Sequence, residues 1–134
     1  MTKQKINIQI FNWGPCVIRM RISDEFKKML LDEAKNNKQD YTQRLAGILD
    51  KETGYSEESK KKLIPHLGEC FGVYDQAFEQ YQNKKYDKKP EYILSALWIN
   101  YQRPNDFNPP HDHDGKLSFV TYLQIPEELK KENA

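Results

Sequence analysis

Trp98-Ile99-Asn100-Tyr101-Gln102-Arg103-Pro104-Asn105-Asp106-Phe107-Asn108-Pro109-Pro110-His111-Asp112-His113-Asp114-Gly115-Lys116-Leu117-Ser118-Phe119-Val120-Thr121-Tyr122-Leu123-Gln124-Ile125-Pro126 joins two apolar runs through a polar turn region. Two of the chain's three histidines and two carboxylates occupy four consecutive positions, His111 to Asp114. Pro109 and Pro110 restrict the backbone that leads in, and Asp114-Gly115 favours a tight turn leading out. On extended backbone, side chains at i and i+2 point to the same side. Both imidazoles can then reach one ion while Asp112 points away. Asp114 returns only if the Asp-Gly turn bends the chain. Imidazole with carboxylate suits Fe(II), Zn(II) or Cu(II), and the pair alone does not choose among them. The same residues also make a good polar hairpin loop with solvated histidines.

Outward from this stretch, the residues from Tyr92 to Tyr101 are apolar on both faces, which predicts a strand buried on both sides. Arg103 to Asp106 predicts a turn, Leu117 to Ile125 another strand, and Glu127 to Asn133 a charged tail. Lys84 to Pro90 reads as a charged linker. Before it, Leu63, Leu67, Cys70, Tyr74, Phe78 and Tyr81 recur at three- and four-residue steps, the strongest helical signal in the chain. Ser56 is its candidate N-cap, and Pro65 should kink it or mark its start. The aromatic stripe reads as core, Cys70 as a small buried hydrophobe, and His66 as a partly exposed helix position.

The N-terminal region alternates. Ile6, Ile8 and Ile10 predict one strand, and Ile18, Met20 and Ile22 a second with Arg19 and Arg21 on its polar side. Asn12-Trp13-Gly14-Pro15 lies between them as a turn. Ser23, Asp24 and Glu25 open a helix with an apolar stripe of Phe26, Met29, Leu30 and Ala34, which Asn36-Asn37 ends. Residues 38–55 predict a loop or short helix around Leu45, Ala46, Ile48 and Leu49. The element order predicts one α+β domain spanning 1–134, with helices on an antiparallel sheet.

With 21 basic and 20 acidic residues, the net charge of +1 offers no electrostatic reason to expect nucleic acid or a membrane surface as partner. Cys16 and Cys70 are too distant in sequence for a paired motif, which favours a reducing compartment. No apolar run reaches bilayer length and no signal-peptide core is present, so the expectation is a cytoplasmic protein.

The run from Trp98 to Pro126 resembles the first half of a 2-oxoglutarate/Fe(II)-dependent oxygenase, closest to the phage and bacterial branch. The likeness rests on an aromatic-rich strand, His-x-His, and a strand ending in Tyr-Leu and a proline. It covers about a quarter of the chain. It implies a partial double-stranded β-helix, or jelly roll, over 91–126, with strands and supporting helices over 1–83. It further implies Fe(II) and 2-oxoglutarate as cofactors, with His111 as the first iron ligand. His113 stands where most of the superfamily has aspartate, and Asp112 or Asp114 are the alternates for the carboxylate. Tyr101 and Tyr122 match tyrosines that contact 2-oxoglutarate, although each also reads as core with its hydroxyl at a cavity rim. The family's distal histidine and its arginine have no counterpart among the residues after Pro126, so the resemblance implies an incomplete oxygenase. The alternatives are a non-catalytic jelly-roll module that a partner chain or homo-oligomer completes, and then a cupin-like metal protein. The usual cupin glycine and glutamate positions hold Asn105, Leu117 and Ser118.

Overall fold

A computed structural model describes residues 8–11, 14–40, 42, 51–113 and 115–132. Their order is β1 (Gln9–Phe11), β2 (Val17–Arg19), α1 (Asp24–Ala34), β3 (Gln39–Asp40), β4 (Glu52–Gly54), α2 (Glu57–Gln82), β5 (Trp98–Asn100) and α3 (Glu127–Glu132). The class is mixed α+β. β1 and β2 form an antiparallel pair, and β3, β4 and β5 form an antiparallel sheet in that order. The chain divides into two compact units, Met1–Leu30 with Ser56–Leu94, and Leu31–Tyr55 with Ser95–Ala134.

The first unit is built on α2. Ser56 has an extended backbone, and its hydroxyl oxygen accepts the Ser59 N–H at 3.1 Å, satisfying one of the helix's free donors. Glu57 and Glu58 follow, where the helix dipole favours acids. Glu57 also holds the Lys60 ammonium at 2.7 Å, and that contact lowers the Glu57 carboxyl below its usual range. The helix runs through Pro65, so the proline does not mark its start. Asn83 ends it in the left-handed conformation. Leu63 and Leu67 of the expected stripe are buried, as is Ala77, which the stripe had not included, whereas Cys70, Tyr74, Phe78 and Tyr81 are half-buried. The stripe's aromatic end packs ring on ring, Tyr74 on Phe78 and Phe78 on Tyr86, with centroids 5.8 Å apart in each pair. Tyr92 packs on Phe71 and donates its hydroxyl proton to Asp75. Burial pushes up the thiols of Cys16 and Cys70, consistent with hydrophobic rather than reactive roles.

α1 begins where its cap predicts. Ser23 Oγ accepts the Phe26 N–H at 3.1 Å, and Phe26, Leu30 and Ala34 are buried. Phe26 stacks on His66 with centroids 5.0 Å apart and planes at 17°, which accounts for that histidine as a half-buried packing residue. Gly14 takes a φ of 141° at the expected turn, and its carbonyl accepts the Tyr81 hydroxyl at 2.9 Å.

In the second unit, β4 is the central strand. Its register places Glu52 opposite Asn100, Thr53 opposite Ile99 and Gly54 opposite Trp98. The pairing continues at both ends, with Tyr55 N–H donating to the Leu97 carbonyl and Tyr101 N–H to the Lys51 carbonyl, both at 3.0 Å. Strand alternation then puts Tyr55, Thr53, Leu97 and Ile99 on one face, where Tyr55 and Leu97 are buried. Asn37, just past α1, donates through Nδ2 to the Thr53 hydroxyl at 3.3 Å. Glu52 lies on the other face and is 1% exposed.

Several expectations need correction. β3 and β4 fall in a segment read as loop or short helix, while the apolar knot at Leu45 to Leu49 lies outside the described residues, as do Ile6, Asn12 and Trp13. The predicted strand from Tyr92 to Tyr101 is regular only over Trp98–Asn100, and Ile93 is 93% exposed. Residues 117–125 form no strand, and Phe119, Val120, Tyr122 and Ile125 are exposed. Apolar composition marks a segment able to pair, but a strand requires a neighbour's hydrogen bonds. Among the described residues no strand is paired with 117–125.

Candidate metal centre

β5 delivers the chain to the site. After Tyr101, Arg103 N–H donates to Asp106 Oδ2 at 2.9 Å and Asp106 N–H returns to the Arg103 carbonyl at 3.1 Å, closing a turn with Asn105 at φ 73°. The two prolines follow, and then the histidines. The structure brings His111 and His113 together: their Nε2 atoms are 3.1 Å apart and their rings meet edge to face, centroids 4.7 Å apart. The i, i+2 spacing thus produces the expected convergence. Two nitrogens each bound at about 2.1 Å to one ion stand about 3.0 Å apart at a right angle and about 3.4 Å apart at a tetrahedral one. The observed separation lies within that span.

The tautomer of His111 follows from its other nitrogen. Nδ1 lies 2.7 Å from the Pro109 carbonyl oxygen, which can only accept, so Nδ1 carries the proton. In that tautomer the lone pair is at Nε2, facing His113. Nδ1–H donation to a backbone carbonyl is a common way to orient a metal-ligating imidazole. Without an ion, the Nε2 contact is satisfied as a hydrogen bond with His113 as donor. His113 also lies against Trp98, centroids 6.2 Å apart and planes at 29°, which ties the loop to β5.

The remaining predicted residues are placed differently. Asp112 is exposed, and Asp114 lies outside the described residues. Among the described residues, no group of three histidine, cysteine or acidic side chains is arranged to hold a metal. Tyr101 is exposed at the end of β5, and Lys51 sets its ammonium 4.8 Å from the centre of the Tyr101 ring. That lysine was not singled out in the sequence, because only the β4–β5 register reveals that a residue 50 positions away is its neighbour. Tyr122 is 74% exposed on the unpaired stretch. A crevice of about 130 Å3 in the first unit, lined by Phe78, Gln82, Lys84, Lys85, Tyr86 and Asp87, includes none of the predicted site residues. No helix among the described residues is long and apolar enough to cross a membrane.

No family model, no curated protein and no solved structure matches this chain.

Proposed function

We propose that the chain is a 2-oxoglutarate/Fe(II)-dependent oxygenase of hydroxylase type, carrying the first iron-ligand motif and the opening part of a double-stranded β-helix. The single observation that carries this reading is the convergence of the two Nε2 atoms at 3.1 Å, with the His111 lone pair directed inward by the Pro109 carbonyl. Two imidazole nitrogens at this separation suit a first-row divalent ion. When bound, iron(II) supplies oxygen activation coupled to the oxidative decarboxylation of 2-oxoglutarate. The chain's part is to hold the two nitrogens and to place Tyr101, with Lys51 beside it, at the end of the same strand that leads to them. Lys51 offers the positive charge that a dicarboxylate requires, which the resemblance had sought downstream of Pro126. Tyr122 and a carboxylate from Asp112 or Asp114 complete the reading.

Anaerobic titration of the protein with Fe(II) and 2-oxoglutarate tests it. The expected result is a visible charge-transfer band that is lost in His111→Ala. No band, together with metal affinity unchanged in that variant, sinks the assignment.

One observation favours a second reading, a partner-dependent module. Among the described residues β5 is paired on one side only, and Val120 and Tyr122 of the unpaired apolar stretch are exposed. Size-exclusion chromatography separates the two readings, because a strictly monomeric protein at high concentration argues against this one.

A further inference from the structure

Residues 84–92 have a charged composition and no regular secondary structure, yet they are fastened to α2. Asn83 reverses the chain in the left-handed conformation, and the Lys84 N–H donates to the Glu79 carbonyl at 3.1 Å. The Tyr86 N–H donates to Glu79 Oε1 at 2.9 Å, and the Tyr86 ring packs on Phe78. Further on, the Tyr92 ring packs on Phe71 and its hydroxyl donates to the Asp75 carboxylate. Phe71, Asp75, Phe78 and Glu79 stand at i, i+4, i+7 and i+8, which is one face of the helix. The segment therefore runs back along α2 and is held on that face at two points. Between them Asp87, Lys88, Lys89 and Glu91 are exposed. The crevice of about 130 Å3 between Phe78, Gln82 and Tyr86 leaves the first point loosely packed. Few buried contacts and an exposed backbone mark a segment of low local stability.

We propose that residues 84–92 are a strap that opens from α2 as a unit without unfolding the helix, and that the Tyr92–Asp75 hydrogen bond is its latch. A phenol donating to a carboxylate makes a charge-assisted bond, so this contact outweighs a neutral one. It also makes the latch sensitive to charge. A negative charge on the Tyr92 oxygen removes the donated proton and sets two like charges against each other. Asp75 and Tyr74 face the phenol from α2, and Tyr86 from the strap itself. Partial burial first, and then Asp75, hold the phenol above its usual range, so the proton stays and the latch is closed at neutral pH. Opening uncovers Phe71 and Phe78. All of these residues belong to the first unit, so the proposal does not depend on the oxygenase reading.

Hydrogen exchange of the Tyr86 amide in the full chain at neutral pH tests it, with the Leu67 amide of α2 as internal reference. Tyr86 is fastened at the other point from Tyr92, so its amide reports the strap rather than the one bond. In the parent it should exchange faster than Leu67. Tyr92→Phe keeps the ring and removes the donor, and should speed Tyr86 exchange at least about threefold with Leu67 unchanged. Tyr92 is 39% exposed, so the variant leaves the core intact. Asp75→Ala should have a similar effect, and the double variant should exchange no faster than the faster single one, because both changes break the same bond. Unchanged Tyr86 exchange in Tyr92→Phe, or additive effects in the double variant, overturns the latch. Equal acceleration at Tyr86 and Leu67 overturns the strap as a separate unit.

Discussion

His111 and His113 bring their Nε2 atoms to 3.1 Å while the Pro109 carbonyl oxygen accepts from His111 Nδ1 at 2.7 Å. The pair is thus arranged as one lone pair facing one exchangeable N–H. A divalent ion there requires His113 to carry its proton on Nδ1 instead, a change of tautomer with no net proton release. Cobalt(II), which reports its ligands through visible absorption, should bind with about one equivalent per chain. His111→Ala and His113→Ala should each weaken binding at least about tenfold. Unchanged cobalt spectra in both variants would remove the pair from consideration as ligands.

Ser56 and Pro65 should act on α2 with opposite sign. Ser56→Ala removes the acceptor for the Ser59 N–H and should destabilise the protein by about 1 kcal/mol. Pro65 has no N–H to offer the Lys61 carbonyl and is exposed, so Pro65→Ala should stabilise by up to about 3 kcal/mol. Urea unfolding midpoints of the two variants check both signs. A Pro65→Ala protein less stable than the parent would show that the ring makes packing contacts outweighing the restored bond.

Leu63 is fully buried in the first unit. Its truncation removes transfer free energy and leaves a cavity, so Leu63→Ala should cost about 2–5 kcal/mol. Thermal denaturation measures the loss. Ile64, its exposed neighbour, should tolerate alanine with a change within about 0.5 kcal/mol.

Tyr55 should make the protein sensitive to alkali. Burial, and then the charges of Tyr101 and Glu33, push its phenol from 10.0 up to about 12. Between those values the unfolded chain has lost the proton and the folded chain keeps it. Unfolding therefore releases a proton, and stability falls as pH rises from 10 through about 12. Below pH 10 the residue contributes no slope. Tyr55→Phe should flatten the alkaline limb relative to the parent, measured as the difference between their unfolding free energies across that range. Identical limbs would place the sensitivity on other groups.

The helices were legible because each announces itself locally. Ser23 and Ser56 cap, acids follow them, and Phe26, Leu30, Leu63 and Leu67 repeat at helical spacing onto a buried side. The histidine convergence was legible for the same reason, since an i, i+2 relation on extended backbone spans only a few ångströms. The short strands were less so. Of Glu52, Thr53 and Gly54 only Thr53 favours a strand, and β4 exists because β3 and β5 lie on either side of it. Leu117 to Ile125 has the composition of a strand and no ladder.

Sequence alone thus determined the mixed α+β class, the caps and faces of α1 and α2, and the placement of two imidazoles on one side of one loop. Each depends on residues within a turn or two of one another. Tertiary structure decided which apolar runs became strands, that Lys51 sits over Tyr101, and that Glu52 is buried with an unpartnered oxygen. Those outcomes depend on hydrogen bonds and burial between residues far apart in the chain. No local pattern encodes a partner's register.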